Sequence, residues 1–304
     1  MQINPKMNEV DTISLSLQEH FPNYQRLIIK KMGITILDVS NPLSRIGWKM
    51  ESLKIAMQMA GRIVPGIART AMNRDGHLWN MRSITKSVLS LLVGIALDNG
   101  ILPGLEITLA ELIPDQIRNH RDKATITLNN LLQMTSGLPE MDSLDKMVPL
   151  VTSKNWLEHI LSLPLVSNPG EKYIYSTGAS HVAAFALQNA MGQSLDCFLQ
   201  ESLLNPLEIS DSFWEKDPQG VPFGGANLFL KPPDLLKIGS MVMQEGLFDG
   251  QRIVSKTWIQ KSTKNPLHTE IDGYGYCLGW WRIGQPIAAG FTLAACGFGG
   301  QRIY

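Results

Sequence analysis

The spacing of apolar residues changes twice along this chain. Near the start it alternates as in strands: Arg26-Leu27-Ile28-Ile29-Lys30 and Ile34-Thr35-Ile36-Leu37-Asp38 read as a hairpin turning at Lys31-Met32-Gly33. Residues 41–76 mix Met50, Met57, Met59 and Met72 with Arg45, Lys49, Lys54, Arg62, Arg69 and Arg74 and read as an ordinary surface helix or, less commonly, as a basic amphipathic stretch that binds membranes or partners. From residue 83 to about 227 the pattern is helical. The most apolar run, Ser87 to Leu97, follows Ser83-Ile84-Thr85-Lys86 and stops at Asp98-Asn99-Gly100. Thr127 predicts an N-cap before Leu128, Leu131 and Leu132, with Gly137 ending that helix, and further helices are expected near 155–163, 179–191 and 194–204. A helix begins around Pro233 and reaches Gly246. Asp249-Gly250 then turns a hairpin between Leu247 and Ile253. Beyond residue 273, Tyr274, Tyr276, Trp280, Trp281 and Phe291-Thr292-Leu293-Ala294 read as strands between glycine-rich turns.

Strand-rich ends around a helical middle predict an α/β (α+β) fold. An antiparallel sheet flanked by helices would carry an inserted all-helical lobe, with the seam between lobes as the natural cleft. The expected organisation is a single domain over 1–304, with 1–80 and 228–304 forming the sheet lobe and 81–227 the helical lobe. At 304 residues, 44% apolar and 18% charged, the chain can bury a large core. Twenty-seven basic residues balance 27 acidic ones, which speaks against nucleic acid or an anionic membrane as the main partner. Cys197, Cys277 and Cys296 lack CxxC spacing and predict free thiols in a reducing compartment. With neither a signal-peptide pattern at Met1–Lys6 nor a long enough apolar run, a cytoplasmic protein without a membrane span is expected. The six histidines show neither HxH nor HExxH spacing, so no metal or other cofactor is expected. His181 reads as structural, with lining the cleft as the less common alternative.

Chemistry enters with Ser83-Ile84-Thr85-Lys86. Residues three apart on a helix share a face, so a lysine stands one turn above a serine. A serine hydroxyl needs a proton acceptor to attack at neutral pH, and a lysine accepts only if burial lowers its pKa. Such a tetrad occurs about once by chance in a chain of this size. A second one, Ser143-Leu144-Asp145-Lys146, lies among Glu140, Asp142 and Asp145 and reads as a solvated loop. The plain alternative for Ser83 is a helix-terminal serine beside an exposed lysine. Tyr175, in Tyr173-Ile174-Tyr175-Ser176-Thr177, could relay protons if a lysine draws it toward phenolate, or simply pack at a surface. Gly297-Phe298-Gly299-Gly300-Gln301 follows a strand with no helix after it, which fails as a dinucleotide fingerprint. It reads either as a strand edge open to substrate or as a plain hairpin turn.

In this order these stretches resemble the serine β-lactamase-like superfamily of penicillin-binding proteins, class C β-lactamases, related esterases and 6-aminohexanoate-oligomer hydrolases. The resemblance rests on Arg82-Ser83-Ile84-Thr85-Lys86-Ser87-Val88, Leu131 to Gly137, Tyr175-Ser176, Gly246-Leu247 with Ile253 and Trp258, and Gly297 to Gln301, with a weaker match over Phe21–Asp38. It implies Ser83 as the acylated nucleophile and Lys86 as its base or as the partner of a Tyr175 phenolate. Tyr175 would serve as proton shuttle, and the Ser83 and Phe298 N–H groups would form an oxyanion hole. Thr177, Gly297 and Gly299 would line the substrate. Where β-lactam-binding members carry Lys-Thr-Gly, this chain has Ala295-Cys296-Gly297, and Thr177 replaces the Asn of Tyr-x-Asn. These departures favour a serine hydrolase of small esters or amides, closest in motif form to the esterase and aminohexanoate-hydrolase branch. A β-lactamase or D-Ala-D-Ala carboxypeptidase, or a non-catalytic binding or sensor protein on the same scaffold, are the alternatives. Family members continue past the point where Tyr304 stands, with a further strand and a covering C-terminal helix, so a truncated chain is expected.

Overall fold

The computed structural model describes residues 26–31, 34–40, 78–271, 273–284, 292–298 and 301–304. The basic stretch 41–76, the turn at Met32-Gly33 and Gly299 lie outside the described residues. The chain forms two compact units, Met1–Met72 and Asn73–Tyr304. In the first, β1 (Arg26–Lys31) pairs antiparallel with β2 (Ile34–Ser40), from Arg26 opposite Ser40 to Lys31 opposite Ile34. The expected hairpin is present, with strands one and two residues longer than the apolar alternation marks.

The second unit opens with β3 (Trp79–Asn80) and the long helix α1 (Ile84–Asp98). Every residue from Ile84 to Ala96 is buried, as expected of a helix that is apolar all round. It ends where Asn99 caps it and Gly100 turns to φ 70°. Gly94 of α1 faces the Trp258 ring so closely that a Cβ would lie 2.1 Å from Cδ1.

Short helices follow: α2 (Leu109–Leu112), α3 (Pro114–Ile117) and α4 (Leu128–Leu132). Thr127 caps α4 as expected: its hydroxyl accepts from Asn130 N–H at 3.1 Å, while Asn130 Oδ1 accepts from Thr127 N–H at 3.0 Å. The helix ends ahead of Gly137, however. Gln133 closes it and Met134 turns left-handed at φ 61°, so the chain has already left the helix when Gly137 makes a second turn.

Helices α5 (Leu144–Thr152), α6 (Trp156–Ser162) and α7 (Thr177–Met191) follow, then α8 (Leu195–Leu199), continued by a π-helical turn to Leu204. Helix α7 begins two residues before the apolar pattern, because Ser176 Oγ accepts from Ala179 N–H at 3.3 Å and caps it.

β4 (Phe213–Trp214) and β3 flank β5 (Leu228–Leu230) in a three-stranded antiparallel sheet. After α9 (Pro232–Met243), β6 (Leu247–Phe248) and β7 (Gln251–Arg252) form the hairpin expected at Asp249-Gly250. Helix α10 (Lys256–Thr263) leads into the main sheet, an antiparallel meander of β8 (Leu267–His268), β9 (Tyr274–Tyr276), β10 (Trp281–Ile283), β11 (Thr292–Cys296) and β12 (Arg302–Ile303). α1 packs against α10, α7 and β11, which brings its N-terminus beside the end of β11.

Candidate active site

The turn that presents Ser83 is held by hydrogen bonds from three directions. Met81 N–H donates to Leu228 O at 2.8 Å, Arg82 N–H to Asn80 Oδ1 at 2.8 Å, and Asn80 Nδ2 to Asn227 Oδ1 at 2.9 Å. Between strand β3 and helix α1, Arg82 is forced to φ 52°, a left-handed conformation that costs a non-glycine residue roughly 1–3 kcal/mol. The sharp turn leaves Ser83 half-buried at the N-cap of α1, at the positive end of the helix dipole.

One turn along, Lys86 is 2% exposed. Its Nζ lies 3.0 Å from Ser83 Oγ, 2.8 Å from Thr177 Oγ1 and 2.8 Å from Gly225 O. Burial brings its pKa down to about 8, against the field of Asp142, which raises it. Burial, the condition under which a lysine can stand unprotonated near neutral pH, is present at Lys86. The close approach of the Gly225 carbonyl requires glycine there: a Cβ would lie 2.5 Å from Thr177 Cγ2.

Tyr175 joins the pair with its hydroxyl toward Ser83, which acts to lower its pKa. Its ring stacks on Trp281 at 5.6 Å between centroids and meets Tyr276 edge-on at 5.8 Å. The pKa direction runs against the phenolate expectation. Burial first, then the field of Asp142, pushes the Tyr175 hydroxyl well above its usual pKa, and the hydrogen bond with Ser83 opposes them only in part. Lys86 Nζ stands 4.8 Å above the ring centre of Tyr175, against the face of the ring. Burial thus favours the neutral phenol at Tyr175.

Thr177 lies in the site but faces inward. Its hydroxyl meets Lys86 and Asp142, and its N–H donates to Asp142 Oδ2 at 3.0 Å. Asp142 is the residue that sequence reasoning missed. It sits 35 positions from Thr177, and its only local signal is an acidic loop.

The β11 edge runs close to the serine turn. A Cβ on Gly297 would lie 2.7 Å from Met81 O, so only glycine lets this strand end approach Met81 and Arg82. Phe298 is 80% exposed at the start of the turn into β12. Ala295 is fully buried, and Cys296 is half-buried with its thiol pushed up in pKa by burial. Arg302, opposite Cys296 in the β11–β12 pair, donates to Gly297 O at 2.6 Å and Gln301 O at 2.8 Å.

The second tetrad belongs to another environment and is helical, contrary to the loop expected. Ser143 precedes α5 and Lys146 lies in its first turn, because Glu140 accepts from Ser143 N–H at 2.8 Å and anchors that end. His181 is fully buried on α7, hydrogen-bonded to Asp217 at 3.1 Å and packed edge-on against Trp156 and Phe223, in keeping with a structural role. Among the described residues no group of three or more His, Cys, Asp or Glu is placed to hold a metal, and no helix is long and apolar enough to cross a membrane.

A family model described as Beta-lactamase matches residues 60–282. No curated protein matches the chain by sequence. Among solved structures, it is similar to a candidate β-lactamase from Bacteroides dorei DSM 17855, at 19% identity and TM-score 0.67 over 95% of this chain and 83% of that one. A candidate 6-aminohexanoate-dimer hydrolase from Bacillus anthracis matches at 14% identity and TM-score 0.69, over 95% of this chain and 71% of that one. EstCE1, a hydrolase with promiscuous acyltransferase activity, matches at 15% identity and TM-score 0.64, over 90% and 82%. At these identities the likeness is one of fold.

Proposed function

The chain belongs to the β-lactamase family, whose members are serine hydrolases, and from that premise we propose that it cleaves small esters or amides through an acyl-enzyme on Ser83. The observation that carries this reading is the buried Lys86 amine, 3.0 Å from Ser83 Oγ with its pKa lowered to about 8. In the neutral form that amine takes the hydroxyl proton as Ser83 Oγ bonds to the substrate carbonyl carbon. Negative charge then gathers on the carbonyl oxygen. The N–H groups of Ser83 and Phe298 are the proposed donors to it, each worth roughly 2.7–4 kcal/mol of transition-state stabilisation. Tyr175, a neutral phenol hydrogen-bonded to Ser83, hands its proton to the leaving oxygen or nitrogen as the bond to the acyl carbon breaks. The proton held by Lys86 restores the phenol, and water hydrolyses the acyl-enzyme by the same steps reversed.

The substrate side favours esters and amides over β-lactams. Ala295 is fully buried where the β-lactam-binding relatives carry a lysine, and Arg302 is engaged by two carbonyls of its own strand turn. The names of two fold neighbours, a 6-aminohexanoate-dimer hydrolase and a hydrolase with acyltransferase activity, support the same side. We read Thr177 as bound up with Lys86 and Asp142 rather than reaching substrate. A burst of nitrophenol from a 4-nitrophenyl ester, stoichiometric with enzyme and absent in Ser83→Ala, tests the proposal. Unchanged turnover in Ser83→Ala would overturn it. Rapid nitrocefin hydrolysis would move the substrate class to β-lactams.

A further inference from the structure

We propose that Asp142 is a positioning residue that acts through Thr177 to aim the Lys86 lone pair at Ser83. The inference rests on the reading of Lys86 as the base. It follows from counting hydrogens. A carboxylate only accepts hydrogen bonds. Asp142 Oδ2 takes the Thr177 N–H at 3.0 Å, and Oδ1 is hydrogen-bonded to Thr177 Oγ1, so the single hydroxyl hydrogen of Thr177 points at Asp142. That leaves Thr177 Oγ1 as an acceptor toward Lys86, 2.8 Å away, and the Gly225 carbonyl at 2.8 Å is an acceptor by nature. A neutral amine has two hydrogens and one lone pair. Thr177 and Gly225 take the two hydrogens, and the lone pair is left for the third neighbour, Ser83 Oγ at 3.0 Å. Without the carboxylate the Thr177 hydroxyl can rotate and donate to the lone pair, which withdraws the base from the serine.

Asp142 is itself held in place. Glu140 accepts from the Asp142 and Ser143 N–H groups and pairs with Lys146 at 2.8 Å. On the other side, Ser176 Oγ donates to Pro139 O at 2.8 Å and ties the same loop to the start of α7. Asp142 and Tyr175 are the ionisable groups that act on or touch Lys86, and Tyr173, Tyr276 and Cys296 surround Tyr175 in turn. Burial pushes all three tyrosines and the cysteine above their usual values, which keeps them neutral. Asp142 is thus the charge that acts on Lys86, and it acts by raising its pKa.

The test is the rate at which a fluorophosphonate modifies Ser83, read by intact mass across about pH 6 to 10, in the full chain and its variants. Asp142→Ala should lower the plateau rate roughly 10- to 100-fold. It should also move the acid limb to lower pH, because the field that raises Lys86 is gone. Asp142→Asn keeps one acceptor oxygen for Thr177 but replaces the other by a donating NH2, so it should recover part of the plateau and keep the displaced limb. Thr177→Ser should behave as the parent, and Thr177→Val should lose plateau rate as Asp142→Ala does while keeping the parent's acid limb, because Asp142 still carries its charge. Melting temperatures identify any variant that fails to fold, and the asparagine and serine variants keep the proposal exposed to refutation in that case. A parent-like rate in Asp142→Ala, or a slowed rate with an unmoved limb, overturns the proposal. Ser83→Ala run in parallel separates the two claims. If it abolishes labelling while Asp142→Ala is parent-like, only the positioning role falls; if labelling persists, the reading of Ser83 falls.

Discussion

Ser83-Ile84-Thr85-Lys86 and Ser143-Leu144-Asp145-Lys146 share a spacing and a place at a helix N-terminus, yet their lysines are driven in opposite directions. Lys86 is 2% exposed, and burial lowers its pKa to about 8. The Lys146 side chain is 44% exposed, and its hydrogen bond with Glu140 raises its pKa. The difference lies in the partners. Around Lys86 stand a hydroxyl, a carbonyl and Ser83, all uncharged, in a place water does not reach. Around Lys146 stands a carboxylate in solvent. On the proposed reading, a Ser-x-x-Lys tetrad serves as nucleophile and base where the fold removes the counter-ion from contact and supplies neutral acceptors instead. In the second tetrad Ser143 and Lys146 do structural work instead, bracing Glu140 and with it the loop that carries Asp142.

The largest test of this contrast is at the serines. Ser83→Ala should lower ester turnover roughly 10^4-fold or more, and Ser143→Ala should leave it within about twofold, by steady-state assay. Next come the lysines: Lys86→Met should lose about 10^2- to 10^4-fold in kcat, whereas Lys146→Met should keep parent-like kinetics. The pH profile carries the same contrast. Lys86 works only as the neutral amine, so activity should climb as pH rises toward about 8, changing about tenfold per unit on the acid side, and level off above it. A profile flat across that range would break the assignment of Lys86 as base. Gly225→Ala is the finer probe. Its Cβ would crowd Thr177 and displace the carbonyl from Lys86, and roughly a tenfold fall in kcat with an otherwise cooperative melt is expected. The smallest effect should be on stability: Lys146→Ala breaks a half-exposed ion pair and should leave the midpoint of a urea titration almost unmoved.

What could be read from the residues alone follows a physical division. Local rules placed Thr127 as a cap, ended α1 at Gly100 and turned the hairpin at Asp249-Gly250, since each depends on neighbours within a few positions. Family resemblance picked out Ser83, Lys86 and Tyr175, and the structure brings these three together. The misses came from tertiary contacts. Ser143 starts a helix because Glu140 anchors its N–H, and α4 stops at Gln133 because the chain needs a left-handed turn at Met134. The phenolate at Tyr175 was inferred from charge alone, and in the fold burial outweighs it. Asp142 was hidden because nothing near it in sequence says that it will meet Thr177, which stands 35 positions on.

The central claim is that this fold activates one of two identical spacings. Peptide mapping after limited fluorophosphonate treatment tests it most directly. A single adduct on the peptide containing Ser83, absent in Ser83→Ala and slowed in Lys86→Met, is the expected result. An adduct on Ser143, or a Ser83 no more reactive than the other serines of the chain, would contradict it.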